Sequence, residues 1–255
     1  MDVYYNRIMC SGPQPPGNGM GDRTGSVGDT LGAVVAAQAE RRWDSSVGMG
    51  LLDRLTGADY LSLVALLFAW TSAICLLRGR VNAGILVMFG AFVFDKLDGY
   101  WARRQGISSP FGRQVDSFID VFAYLVTGAL VYHVALSPTP WMSVVVGFAI
   151  LAFGGLRLVR HADEGFGAEG EDSYYLGWTV VHVNFVVLLN YYLAAFVPAW
   201  NGWLAAVPIV LACPVMVSGY RCYKTTAGHA LAAGAALLAA GASLWLEVVG
   251  GAGAA

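Results

Sequence analysis

Asp95, Asp98, Asp116 and Asp120 stand at helical spacing in a chain that is otherwise mostly apolar. Asp95 and Asp98 are three residues apart and Asp116 and Asp120 four apart, so each pair occupies one face of a helix. An ionised carboxylate is costly at membrane depth unless it is paired or bound to a metal. Four aimed at one point would repel each other, and two divalent cations would balance them. Hard cations such as Mg²⁺ take carboxylate oxygens together with substrate phosphate oxygens. Two metals so held suit in-line displacement at phosphorus.

The elements that must position these groups are long apolar helices. Of the 255 residues, 57% are hydrophobic and 13% charged, about half the charged fraction of a soluble domain, roughly 25%. That composition describes an all-α, polytopic integral membrane protein. A net charge of -2 gives no electrostatic case for nucleic acid. The four cysteines (Cys10, Cys75, Cys213 and Cys222) are scattered, without a paired spacing, and read as small apolar fillers.

Residues 1–50 carry Pro13, Pro15, Pro16, many glycines and few large aliphatics. They read as a mostly disordered segment with a short helix around 31–42. Seven apolar segments follow: about 60–77, about 81 to the first aspartate pair, about 111–137, 141–159, 174–196, 203–220 and 228–249. The expected architecture is a six-helix transmembrane core in residues 51–225, with a seventh helix and tail in 226–255. Pro138, Pro140 and Pro198 mark turns, and the acids of 160–173 read as a solvated loop. With the amino terminus inside, every Lys and Arg except Arg78 and Arg80 falls on the inner side. The aspartates therefore face the cytoplasm across a cell membrane.

Around the aspartates, eight positions read Asp95-x2-Asp98-Gly99-x2-Ala102-Arg103-x8-Gly112-x3-Asp116-x3-Asp120. Such a match arises by chance in a chain of this length only about once in 10⁸. The pattern resembles the signature of the CDP-alcohol phosphotransferases, membrane enzymes of phospholipid synthesis. The resemblance implies that Asp95, Asp98, Asp116 and Asp120 hold two Mg²⁺ or Mn²⁺ ions, and that Asp120 also takes the proton from the attacking hydroxyl. It implies a CDP-linked lipid donor against Gly99, Ala102, Arg103 and Gly112, and CMP as leaving group. Small residues allow a nucleotide close to the backbone, and the planar fork of Arg103 suits a phosphate oxygen.

The acceptor is read from residues further along. Family members whose acceptor carries a phosphate place Lys or Arg after the last aspartate; here Val121 stands there. Arg157-Leu158-Val159-Arg160 resembles an Arg-Leu-x-Arg element of phosphatidylserine synthases, and Val215-Met216-Val217-Ser218 with Lys224 resembles their Met-Val-Ser and Lys element. L-serine is the small alcohol these favour, with Arg157, Arg160 and Lys224 as acceptor- or phosphate-binding candidates. Departures stand beside them: His161-Ala162 replaces Phe-Asn, Gly177-Trp178-Thr179 lacks the proline of a Gly-Leu-Pro stretch, and Ala123–Gly128 replaces Ser-Phe-Gly-x-Ala-Pro. Two alternatives remain: a glycerophosphate- or inositol-phosphate-type transferase, and a non-catalytic membrane protein or transporter that kept the fold. His182 and Asn184, in an apolar helix, divide evenly between function and packing. The resemblance also leaves a homodimer open.

Overall fold

The computed structural model describes residues 50, 55–106, 110–164, 167–169, 172–223 and 225–252. The disordered segment and short helix expected before residue 50, and Lys224, lie outside the described residues. Seven helical rods follow in order: α1 (Gly57–Leu77), α2 (Val81–Gln105), α3, α4 (Pro140–Glu164), α5 (Val180–Phe196), α6 (Gly202–Met216) and α7 (Thr226–Ala252). The rod α3 begins as Pro110–Asp120. It continues through a π-helical stretch Val121–Val126, an α turn Thr127–Val131 and a second π stretch Tyr132–Leu136.

Local chemistry sets the helix ends. Thr56 caps α1: the Asp59 N–H donates to Thr56 Oγ1 (3.4 Å) and the Thr56 N–H donates back to Asp59 Oδ2 (2.7 Å), a reciprocal box that satisfies two orphan donors. Gly106 closes α2 in the left-handed region (φ +63°), a conformation that glycine adopts without strain. Asn201 caps α6 by accepting from the N–H groups of Trp203 and Leu204, both at 3.1 Å.

Packing follows membrane rules. The face of α1 turned inward carries Ala65, Ala69 and Ala73, all buried, while Leu67, Trp70 and Leu77 point outward. Small residues bring helices together and large apolar ones meet lipid. The core is filled by Leu76, Ile85, Leu125, Tyr132, Ile150, Leu188, Ile209 and Met216. Four rods, Gly57–Leu77, Phe111–Leu136, Pro140–Glu164 and Ala230–Val249, are long and apolar enough to cross a membrane. The expected six-helix core plus a seventh helix is met by seven helical rods among the described residues, of which these four have full spanning length. Asp95, Lys96 and Asp98 interrupt the apolar run of α2, and α5 and α6 have only 17 and 15 residues.

A correction concerns residues 160–176. The solvated loop and the start of the fifth helix contain strands instead: β1 (Gly167–Glu169) and β2 (Asp172–Leu176), joined by β3 (Arg221–Tyr223). The sheet is antiparallel in the order β1-β2-β3, with Tyr174 opposite Tyr223 and Tyr175 opposite Cys222. The tyrosines are β-formers whose rings cover a pleated face. On one face Tyr174 and Tyr223 meet at 5.7 Å, with Arg221 over Tyr174 at 5.2 Å.

Candidate active site

The first and last turns of the rods bring the aspartates together. α2 carries Asp95 and Asp98 about two to three turns before its end, and its final turn carries Arg103 and Arg104, whose charges suit the negative end of the helix dipole. α3 begins nearby and presents Asp116 and Asp120 one turn apart. Carboxylate oxygens of Asp95, Asp98 and Asp116 lie within 4.8 Å of one another. Asp98 is buried and accepts a short hydrogen bond from Ser62 Oγ of α1. Asp95 Oδ2 accepts twice, from Lys96 Nζ at 2.7 Å and from the Tyr124 hydroxyl at 2.8 Å.

Asp120 completes the carboxylate row on α3, and its Oδ1 is buried without a hydrogen-bond partner among the described residues. Arg113 Nε and Ser117 Oγ, on the same three turns, share that condition. A buried polar atom with no partner costs about 1–3 kcal/mol, more if charged, so such atoms call for a complement. An all-carboxylate donor set with an orphaned buried oxygen fits a hard divalent cation.

Of the residues expected to hold the donor, Gly99 and Arg103 are adjacent: a Cβ added at Gly99 would lie 3.2 Å from Arg103 Nη1. The guanidinium therefore lies over the bare backbone at Gly99. Ala102 belongs to the same last turns of α2, and Gly112 stands one turn before Asp116 on α3.

The two arginines of α4 differ. Arg157 is only 4% exposed, and its guanidinium lies 5.5 Å above the Tyr175 ring of β2. Arg160 donates to four backbone carbonyls: Leu176, Met216, Val217 and Ser218. Three of these lie at or just beyond the end of α6, where helix carbonyls lack internal partners. Arg160 thus ties β2 to the end of α6. Gly177, at φ +75°, passes so near that a Cβ there would meet the Met216 carbonyl oxygen at 2.2 Å.

His182 and Asn184 of α5 pack. His182 caps its helix through Thr179 (Oγ1 to Nδ1, 2.7 Å) and stacks on Trp178. Asn184 Nδ2 donates to the Tyr124 carbonyl at 2.8 Å. Sequence reasoning missed Ser62, Lys96, Tyr124 and Tyr175. Tyr124 had a signal: it lies four residues after Asp120, extending the stripe Asp116, Asp120, Tyr124 down one face. Lys96 was counted only as an inner-side charge.

Fold and site together define a helical integral membrane protein with a buried carboxylate cluster where two of its helices end and begin. The sequence model of the family described as CDP-alcohol phosphatidyltransferase matches residues 55–251, and the chain belongs to that family. It is 33% identical over 104 residues to the archaetidylserine synthase of Methanothermobacter thermautotrophicus, covering 40% of this chain and 45% of that protein. It is 32% identical over 86 residues to a CDP-diacylglycerol–serine O-phosphatidyltransferase of Bacillus subtilis, covering 33% and 49%. A protein of the same name from Methanocaldococcus jannaschii is 33% identical over 107 residues, covering 42% and 48%. The chain spans about half the length of the curated relatives it matches.

Proposed function

We propose that the chain transfers a phosphatidyl-type group from a CDP-linked lipid to the hydroxyl of L-serine, releasing CMP. The observation that carries this reading is the row of carboxylates with an orphaned oxygen on Asp120. The names of the three relatives above support serine as acceptor, and so does Val121, an uncharged residue where a phosphorylated acceptor would call for a cation.

Asp95, Asp98, Asp116 and Asp120 would hold two divalent cations, Mg²⁺ or Mn²⁺. When bound, these supply charge neutralisation and polarisation of the phosphate oxygens. Gly99, Ala102 and Gly112 leave room for the nucleotide, and Arg103 binds a phosphate oxygen. The serine hydroxyl oxygen attacks the lipid-side phosphorus; the bond from that phosphorus to the CMP oxygen breaks; Asp120 accepts the hydroxyl proton. Holding the two reactants in line supplies much of the acceleration. Arg157, buried beside the cluster, takes the serine carboxylate, a role for which a planar fork is suited. Arg160 is engaged with the end of α6 and holds the frame around it. The site opens to the cytoplasmic side of the cell membrane, residues 51–225 form the catalytic bundle, and α7 (residues 226–252) is an added helix against it.

The test is CMP release by purified protein with CDP-diacylglycerol or its ether-linked counterpart, Mg²⁺ or Mn²⁺, and a panel of serine, glycerol 3-phosphate, inositol 1-phosphate, inositol and ethanolamine. Release that needs serine and metal is the expected result. Release with a phosphorylated acceptor would overturn serine and keep the reaction. Silence with every donor and acceptor would overturn the enzyme, and counterflow of a labelled solute in liposomes would then point to a transporter.

A further inference from the structure

We infer that Tyr124 is a positioning residue for the carboxylate cluster: its hydroxyl fixes the orientation of Asp95, and the π-helical turn that carries it is held in place by Asn184. The inference rests on the proposed metal-binding role of the aspartates and adds to it a residue outside the eight-position pattern.

The geometry forms a chain of three links. Asn184, buried on α5, donates from Nδ2 to the Tyr124 carbonyl at 2.8 Å. Tyr124 sits in the π stretch Val121–Val126 directly after Asp120. Such wide turns are rare overall and frequent at functional sites. The Tyr124 ring is wedged edge-on against Phe92 (6.4 Å), which in turn meets Phe185 edge-on (6.2 Å). With only 4% of its surface exposed, the side chain has no freedom to turn away. Its hydroxyl donates to Asp95 Oδ2 at 2.8 Å. With Oδ2 held, Asp95 presents its other oxygen in a fixed direction.

Lys96 donates to the same Oδ2, but from a side chain that is 54% exposed and carries charge. Tyr124 orients the ligand without adding positive charge where cations must gather. Partners that orient a ligand carboxylate are worth roughly 10–100-fold in metal affinity.

The experiment titrates Mn²⁺ into the full chain in detergent, following free Mn²⁺ by electron paramagnetic resonance, for wild type, Tyr124→Phe, Tyr132→Phe and Asp116→Asn. Tyr132 lies in the same rod, but its hydroxyl donates to the Gly202 carbonyl at 3.3 Å, away from the cluster. The expected result is a Kd raised about 10-fold or more by Tyr124→Phe and unchanged by Tyr132→Phe, with metal-free melting temperatures of both close to wild type. Asn184→Ala, which frees the π turn while keeping the hydroxyl, should weaken binding in the same direction by less. A wild-type Kd in Tyr124→Phe, with Asp116→Asn losing binding, overturns the positioning role and leaves the metal site standing. If wild type takes up no Mn²⁺, both the inference and the metal-site reading fall.

Discussion

The two ends of the helical bundle are built on opposite terms. At the end where α2 finishes and α3 starts, four carboxylates crowd together, and three buried atoms (Arg113 Nε, Ser117 Oγ and Asp120 Oδ1) have no hydrogen-bond partner among the described residues. At the other end, where α3 gives way to α4 and α5 to α6, polar groups are matched. The Tyr132 hydroxyl donates to the Gly202 carbonyl, Trp200 Nε1 donates to Asn190 Oδ1 at 3.2 Å, and Asn201 caps α6. Gly202 is so tightly set that an added Cβ would fall 1.7 Å from the Leu136 carbonyl oxygen. Sites that act on a substrate violate packing rules that the rest of the molecule obeys. Here the far end anchors helices whose near ends are left under electrostatic tension.

The largest way to break this comparison is Asp120→Asn. It should lower CMP release by about 10³-fold, within the range of a lost general base, while the metal-free melting temperature holds or rises. A clear loss of folding would mean that the near end is also structural. Next comes Gly202→Ala at the far end, where overpacking should cost about 3 kcal/mol or more. A thermal melt in detergent reads that loss, and turnover per folded molecule should stay near wild type. The arginines of α4 sharpen the contrast within the near end. Arg157→Lys should raise the KM for serine by about tenfold, as a lost bidentate contact does, with the melting temperature unchanged. Arg160→Lys should do the reverse, lowering stability by about 1–3 kcal/mol as carbonyls lose their donors. The smallest effect is Thr56→Ala, which removes the α1 cap and should cost about 1 kcal/mol, visible as faster hydrogen exchange in the first turn of α1.

Much of the near end could be read from the chain because its chemistry is local. Asp95 with Asp98 and Asp116 with Asp120 share faces by helical period alone, and Gly106 and Pro110 bracket the break between their helices. The helices α1, α3, α4 and α7 announced themselves by apolar length. The sheet did not. β2 pairs with β3 across more than forty intervening residues, and no local period records a partner so distant. Tyr174-Tyr175-Leu176 is equally apolar as the start of a helix, so the fifth segment was begun six residues early. The π turns were hidden for a related reason: Val121–Val126 is uniformly apolar, and one extra residue per turn leaves no mark in such a run. Arg157 and Arg160 looked alike in sequence, one turn apart on α4. Only the end of α6, brought in from far along the chain, separates their roles.

That distant pairing also orders events during synthesis. Tyr175, which lies against Arg157, belongs to a strand whose neighbour Arg221–Tyr223 is made only after both α5 and α6 have been synthesised. Translation adds about 5–20 residues per second, so the nascent chain spends seconds with β2 paired to β1 alone and its β3 edge open. The Arg160 side chain must wait equally long for the carbonyls of residues 216–218. The charged end of the bundle therefore matures late, and a chain halted before residue 221 would keep the aspartate motif yet lack β3, the outer partner of the strand that carries Tyr175.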